Sequence, residues 1–163
     1  MAGPRQGKRD GGSGAKGTRV LIVEARYYED IADALLAGAT KALHDAGAAI
    51  ERISVPGALE IPVAAAIALD AAKRRRRVYD GVVGLGCVIR GETIHFEIVS
   101  EQSARGLMDL GLSRGVPVGN GIVTVDNESQ AWERARPEKQ DKGGDAARAV
   151  LALIGIKRRL GGR

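Results

Sequence analysis

A chain of 163 residues is long enough for one domain and too short for two of ordinary size. Hydrophobic residues make up 44% of the composition and aromatic residues only 3%, so alanine and the aliphatic side chains must form the core. The formal net charge of +5 is compatible with anionic partners. Because single-stranded nucleic acids are usually bound on aromatic side chains, the scarcity of aromatics argues against a nucleic-acid partner.

Cys87 is the only cysteine, which excludes an internal disulfide and a CxxC metal site. With two histidines in the whole chain, we expect no bound metal. A single thiol fits a reducing, cytoplasmic location. The basic, glycine-rich N-terminal segment lacks the apolar stretch of a signal peptide. No run approaches the ~18 apolar residues of a membrane-spanning helix, so no membrane partner is expected.

The first 17 residues are dominated by Gly, Lys, Arg and Ser. They predict a disordered basic tail, which is followed by one domain over residues 18–163. Residues 19–24 are a short apolar run typical of a buried strand. From Asp30 onward, apolar and small residues recur at steps of three and four, which predicts a helix that ends at Gly47.

The rest of the chain continues this alternation. Strands are predicted over residues 49–55, 81–88 and 118–125, and helices over residues 60–74, 95–112 and 143–159. Asn127, with Gln130 three residues later, is predicted to cap a further helix. The alternation indicates an α/β fold, a three-layer αβα sandwich around a four-stranded parallel sheet. Ligands bind outside the carboxyl ends of the strands in such sheets, so the loops after each strand are candidate site segments.

His95 begins a predicted helix directly after the turn formed by Gly91, Glu92 and Thr93. A helix N-terminus presents free backbone N–H groups and a positive dipole end, so this turn is a candidate phosphate site. An imidazole beside a phosphate ester could move protons near neutral pH. The alternative is a histidine satisfied by the helix cap, and the residues alone do not choose between the two.

Other candidates at strand and helix ends have similar alternatives. Glu60 could accept hydrogen bonds from a polyol or an amine, or simply complement the helix dipole. Tyr27 could cover a flat heterocycle or pack within its own loop. Arg134 could bind phosphate bidentately or belong to a solvated basic face. Cys87, in a buried strand, is more often a small core residue than a nucleophile.

Taken together, five segments resemble the lumazine synthase family. They are ARYYEDI at residues 25–31, VPGALEIP at 55–62, GCVIRGETIHF at 86–96, NGIVTVDN at 120–127 and DKGGDAA at 141–147. The resemblance implies a flavodoxin-like fold and a homo-oligomer, with a pentamer favoured and active sites between neighbouring subunits. It implies condensation of 5-amino-6-(D-ribitylamino)uracil with 3,4-dihydroxy-2-butanone 4-phosphate to give 6,7-dimethyl-8-ribityllumazine. It implies neither a metal nor an organic cofactor.

The resemblance also assigns roles by position. His95 corresponds to the proton-transfer residue, and Tyr27 to the aromatic residue that stacks on the pyrimidine. The other residues implied in binding the pyrimidine and its ribityl chain are Ala58, Leu59, Glu60, Cys87, Val88, Ile89 and Asn120. The phosphate is expected to be bound by Glu92, Thr93 and Arg134, and the supporting ion pair is formed by Lys142 and Asp145.

Two features depart from the family pattern. Asn120 stands where an aromatic residue is often found, and it can form hydrogen bonds but cannot stack on a ring. The loop over residues 136–141 lacks the Gly-Thr and Gly-Asn pattern that resembles that of capsid-forming members. The absence of this pattern favours a pentamer or a small multiple of it. Three other functions stay open from the sequence: a non-catalytic lumazine- or flavin-binding protein, a basic protein associated with nucleic acid, and a large structural shell.

Overall fold

The computed structural model describes residues 15–161 and places one parallel sheet between two layers of helices. The strands are β1 (Arg19–Ala25), β2 (Ala49–Val55), β3 (Gly81–Ile89) and β4 (Val118–Val125). The helices are α1 (Glu29–Asp45), α2 (Glu60–Arg74), α3 (His95–Arg114), α4 (Glu128–Ala135) and α5 (Lys142–Arg159). The predicted three-layer αβα fold is confirmed. None of the helices over residues 15–161 is long and apolar enough to span a membrane.

The sheet has the strand order β2-β1-β3-β4, and all neighbouring strands are parallel. Successive residues of β1 point to opposite faces. Ile22 belongs to the core formed with α1, α4 and α5, whereas Val23 belongs to the core formed with α2 and α3. Because every strand runs in the same direction, the carboxyl ends of the strands and the loops that follow them meet at one edge of the sheet.

Glycines allow α1 and α5 to pack in unusually close approach. A Cβ atom on Gly143 would lie 2.0 Å from the carbonyl oxygen of Leu35, which is a backbone atom of α1. A Cβ atom on Gly38 would lie 2.0 Å from Oδ1 of Asp141, the residue that caps α5. A side chain at either position would push the two helices apart. The beginning of α5 can therefore pack this closely against α1 only because both residues are glycines.

The folded part of the chain begins earlier than predicted. Residues 15–17 form a turn. Ala15 is 2% exposed and packs into the core, so these residues belong to the domain and not to a tail. The rest of the predicted tail, residues 1–14, lies outside the described residues. Gly17, just before β1, and Gly161, just after α5, line the same cleft at the amino end of the sheet. The first and last described turns are therefore neighbours, at the end of the sheet opposite to the strand-end loops.

The cap of α4 differs in one hydrogen bond from the predicted capping box. The side chain of Asn127 accepts from the backbone N–H of Gln130 at 2.9 Å, as predicted. The side chain of Gln130 accepts from the N–H of Asp126 at 2.9 Å, instead of from the N–H of Asn127. The reciprocal bond is thus displaced by one residue, and it ties the end of β4 to α4.

Candidate functional site

A cavity of about 500 Å³ opens at the carboxyl ends of β1, β2 and β3. Its walls come from three strand-end segments, residues 27–28, 56–60 and 87–89, and from His95 and Val99 on α3. The two α3 residues are four positions apart and so lie on the same face of the helix. Val99 was not among the predicted site residues, although its spacing from His95 could have identified it. A cavity of this volume is large enough for a small organic ligand.

Most of the residues predicted to bind the pyrimidine line this cavity together with the predicted proton-transfer residue. They are Tyr27, Ala58, Leu59, Glu60, Cys87, Val88, Ile89 and His95. These side chains are far apart in the sequence and meet because parallel strands deliver their following loops to one edge of the sheet. The grouping is therefore a product of the topology, not of any local motif.

Two tyrosines form one wall of the cavity. Tyr27 is 76% exposed, and its ring meets the ring of Tyr28 edge-on, with the centroids 5.0 Å apart. Tyr28 packs against the core, and burial raises the pKa of its hydroxyl. Since Tyr27 is largely exposed at the cavity, its ring is available to a flat ligand. This arrangement favours the heterocycle interpretation of Tyr27 over packing within its loop.

Cys87 and Glu60 contribute different chemistry to the cavity. Burial raises the pKa of the Cys87 thiol to about 11, so the thiol is protonated near neutral pH and serves as wall rather than nucleophile. Glu60 is exposed, and its carboxylate lies over Gly57, whose Cβ atom would be 3.0 Å from Oε2. This carboxylate can accept hydrogen bonds from hydroxyl or amine groups. Within residues 15–161, no group of three or more His, Cys, Asp or Glu side chains could hold a metal ion.

The predicted phosphate turn is exposed and directly precedes His95. The hydroxyl oxygen of Thr93 accepts the backbone N–H of His95 at 3.3 Å, while Gly91 has no atom within 4 Å of its Cβ position. The Thr93 hydroxyl thus binds the first backbone N–H of α3, and the imidazole of His95 lines the cavity. An anion bound at this helix N-terminus would lie beside the imidazole.

Arg90 anchors this turn and was not singled out in the sequence. Its Nε donates to Asp126 at 2.8 Å, its Nη1 donates to Glu97 at 2.5 Å, and its guanidinium lies 4.3 Å from the centroid of the Phe96 ring. The hydrogen bond from Arg90 lowers the pKa of the Glu97 carboxyl. Arg90 therefore ties the end of β3 to the end of β4 and to the first turn of α3.

The remaining predicted site residues do not line this cavity. The side chain of Asn120 accepts from a backbone N–H of its own strand at 2.9 Å. Arg134 donates to a backbone carbonyl of its own helix at 3.1 Å. Lys142 and Asp145 form the predicted ion pair, with Nζ and Oδ2 3.7 Å apart. Within one chain, these side chains lie outside the cavity that His95 lines.

Asn120 instead borders a second cavity of about 520 Å³, which lies between α3, β4 and α5. Its walls are mostly apolar side chains that are unusually exposed for their type. They are Met108, Leu112, Leu153 and Ile156, of which Leu112 is 76% exposed. A contiguous exposed apolar surface marks a site of interaction with another molecule.

Comparisons with known proteins agree with the segments that form the site. The sequence model of a family described as 6,7-dimethyl-8-ribityllumazine synthase matches residues 17–158. A protein with that name from Afipia carboxidovorans is 62% identical over 160 residues, which are 98% of each chain. One from Xanthobacter autotrophicus is 62% identical over 148 residues, 91% of this chain and 90% of its own. One from Agrobacterium fabrum is 60% identical over 143 residues, 88% of this chain and 97% of its own.

Proposed function

The chain belongs to the 6,7-dimethyl-8-ribityllumazine synthase family, and we propose that it condenses 5-amino-6-(D-ribitylamino)uracil with 3,4-dihydroxy-2-butanone 4-phosphate. The product is 6,7-dimethyl-8-ribityllumazine, the immediate precursor of riboflavin, and phosphate and water are released. The observation that carries the proposal is the strand-end cavity, which gathers an exposed aromatic ring, a carboxylate and an imidazole around one space. A cytoplasmic location, expected from the single thiol of Cys87, is part of the same proposal.

The pyrimidine substrate fits the part of the cavity bordered by Tyr27 and Cys87. The ring of Tyr27 would cover the flat heterocycle, and the apolar ends of β3 would form the opposite wall. Glu60 can accept hydrogen bonds from the hydroxyl groups of the ribityl chain. Binding of both substrates in one cavity supplies much of the rate, because the amine and the ketone are then held in reacting geometry.

His95 is proposed to move the protons that the condensation requires. The amine of the pyrimidine attacks the ketone, and water leaves as the imine forms. Phosphate is then expelled, and the second amine closes the ring with loss of a further water. Each step moves a proton between nitrogen, oxygen or carbon and a nearby group. His95 lines the cavity and directly follows the phosphate turn, so its imidazole can serve both reacting centres.

The phosphate of the butanone substrate is proposed to bind at the N-terminus of α3. Free N–H groups there and the hydroxyl of Thr93 are suitable donors. Glu92 would take part through its backbone N–H, because its carboxylate would repel the phosphate. Arg134 would supply a charged, bidentate contact. Since Arg134 does not line the cavity of its own chain, we infer that it acts on a neighbouring copy.

A homo-oligomer, most simply a pentamer, is proposed on the basis of the exposed apolar cavity between α3, β4 and α5. A second copy seated there would bury Leu112 and its neighbours and would carry Asn120 into an interface. We expect static light scattering to give a mass five times the 17.1 kDa of one chain. A mass of one chain would overturn the proposal, and a much larger mass would indicate a shell.

Mixed oligomers test whether the site is shared between copies. Chains carrying His95→Ala and chains carrying Arg134→Ala are each expected to be poorly active. If the two groups act from different copies around a ring, co-assembled chains should recover about one quarter of wild-type activity, because random mixing restores that share of interfaces. No recovery in verified mixed oligomers would mean that both groups act within one chain.

The first test of the activity is a fluorescence assay for lumazine formation with wild-type protein and the Arg134→Ala variant. Hydrogen bonds to charged groups are worth about 1.5–3 kcal/mol, so the variant should need roughly ten- to a hundredfold more butanone phosphate. The KM for the pyrimidine should change little. Arg136→Ala is the matched control, because Arg136 is exposed and stacks on Trp132 at 4.9 Å.

The outcomes of this assay separate the candidate functions. Lumazine formation by the wild type, with a raised KM for butanone phosphate only in Arg134→Ala, would establish both the enzyme and the role of that arginine. Tight binding of lumazine or riboflavin without turnover would overturn the enzymatic proposal in favour of a binding protein. Equal KM values in the Arg134→Ala and Arg136→Ala variants would remove Arg134 from the phosphate site.

A further inference from the structure

A buried carboxylate lies on β1, three residues before Tyr27 in the sequence. Glu24, near the end of β1, is 0% exposed. Its Oε2 accepts from Nη1 of Arg26 at 3.1 Å, and its Oε1 accepts from the Ser54 hydroxyl at 3.2 Å. Nε of Arg52 lies 3.5 Å from the same Oε1. A buried charge is tolerated only when it is paired and hydrogen-bonded, so Glu24 is a fixed anchor for the side chains around it.

Arg26 connects this anchor to the first turns of α1. While its Nη1 binds Glu24, its Nη2 donates to the backbone carbonyl of Glu29 at 3.4 Å and to the carboxylate of Asp33. The guanidinium thus bridges the end of β1 and the beginning of α1. The chain between these two elements is Arg26 itself, followed by the two tyrosines of the cavity wall, Tyr27 and Tyr28.

Tyr27 depends on its backbone for its position. At 76% exposure its ring is not enclosed by the core, and it touches Tyr28 edge-on. Because few contacts hold the ring itself, the position of the ring follows from the conformation of the backbone that carries it. The bridge made by Arg26 closes the loop that carries Tyr27, and Arg26 itself does not line the cavity.

We propose that Arg26, anchored on Glu24, is a positioning residue that holds Tyr27 ready to cover the planar heterocycle of the pyrimidine substrate. This inference rests on the proposed function. Arg26 acts through Tyr27 and does not touch the reacting atoms. Its loss should therefore weaken binding of the heterocycle specifically and leave binding of the butanone phosphate unchanged.

The test is the Arg26→Met variant, measured separately for each substrate. Aromatic stacking is worth about 0.5–1.5 kcal/mol, so the KM for the pyrimidine should rise by roughly three- to tenfold. The KM for butanone phosphate and the kcat at saturation should stay within about twofold, a change too small to reflect a lost contact. Arg26→Lys, which keeps the charge but not the two-sided bridge, should recover only part of the loss.

A second variant guards against a general loss of folding in Arg26→Met. Asp33→Asn weakens the α1 end of the bridge by removing the charge of a carboxylate that is 70% exposed, while the bond from Arg26 to the Glu29 carbonyl remains. Glu24 keeps its partner, so we expect the fold to be retained. Asp33→Asn should also raise the KM for the pyrimidine, but by a smaller factor than Arg26→Met does. Asp45→Asn is the matched control, because Asp45 is 59% exposed in an ion pair with Lys41 on the same helix.

The decisive comparison is made in the Tyr27→Ala background. If Arg26 acts through the ring, Arg26→Met should add nothing to the pyrimidine KM once the ring is gone. An equal additional rise, or a parallel rise in the butanone phosphate KM, would overturn the inference. Titration of the same variants with fluorescent 6,7-dimethyl-8-ribityllumazine keeps the two proposals distinguishable. Wild-type protein that binds lumazine without turnover defeats the proposed activity, whereas equal lumazine affinity in wild type and Arg26→Met defeats the role of Arg26.

Discussion

Replacement of His95 by alanine should lower kcat by about 10²- to 10⁴-fold, the range usually contributed by a positioned acid or base. The imidazole lines the strand-end cavity beside the phosphate turn, and an alanine side chain at that position can neither accept nor donate a proton. The backbone N–H of residue 95, which donates to the Thr93 hydroxyl, is retained in the variant, so α3 should still form. Affinity for the pyrimidine should stay close to wild type, because Tyr27 and Glu60 are untouched. Steady-state kinetics with product binding measured by fluorescence will separate the two quantities.

The other histidine supplies the control for this variant. His44 is exposed near the end of α1, away from the cavity, and His44→Ala should turn over at the wild-type rate. Undiminished turnover in His95→Ala would mean that solvent or another side chain moves the protons. A loss of pyrimidine binding as large as the loss of kcat would instead assign His95 to substrate binding.

Substitution of Gly143 by alanine should destabilise the protein by about 3 kcal/mol, at the upper end of what overpacking usually costs. The added methyl group would lie 2.0 Å from the Leu35 carbonyl oxygen, and a backbone atom cannot swing aside as a side chain does. Either α1 or α5 must move. For a chain of this length the melting temperature should fall by roughly 6–12 °C. Thermal unfolding at one fixed protein concentration is the measurement, since assembly also affects the melting temperature.

Gly155→Ala is the matched control in the same helix. No atom lies within 4 Å of the Cβ position of Gly155. Alanine there should stabilise the protein by about 0.5–1 kcal/mol through the higher helix propensity of alanine. If both variants melt at the same temperature, the backbones of α1 and α5 are not in close approach at Gly143.

The strands and helices could be predicted because their signals are local. The apolar run over residues 19–24 becomes β1, and the helix predicted over residues 60–74 has the bounds of α2. Alternating strands and helices leave few topologies other than a parallel sheet with covered faces, so the cavity edge also followed from the sequence. The exception was the start of the domain. Ala15 is a small residue in a polar context, and only tertiary packing shows that it is buried.

The site could be predicted only where topology determines contact. Tyr27, Glu60 and His95 each follow the carboxyl end of a parallel strand and therefore meet at one edge of the sheet. Asn120 and Arg134 do not line the cavity of their own chain. Their proposed roles depend on a neighbouring copy, and the periodicity of one sequence does not encode how two copies pack. Arg26 was missed for a related reason, because its significance comes from a buried glutamate and a helix turn on either side of it.

The adjacency of Gly17 and Gly161 at the amino end of the sheet bears on how this protein can be rebuilt. A short peptide could join these positions and close the chain into a ring, so that new ends could be cut in an exposed loop without changing the fold. A tag or a passenger protein joined directly to Gly17 or to Gly161 would start on the side of the domain away from the cavity. Engineering at Gly17 and Gly161 and chemistry at the strand ends thus take place at opposite ends of the sheet.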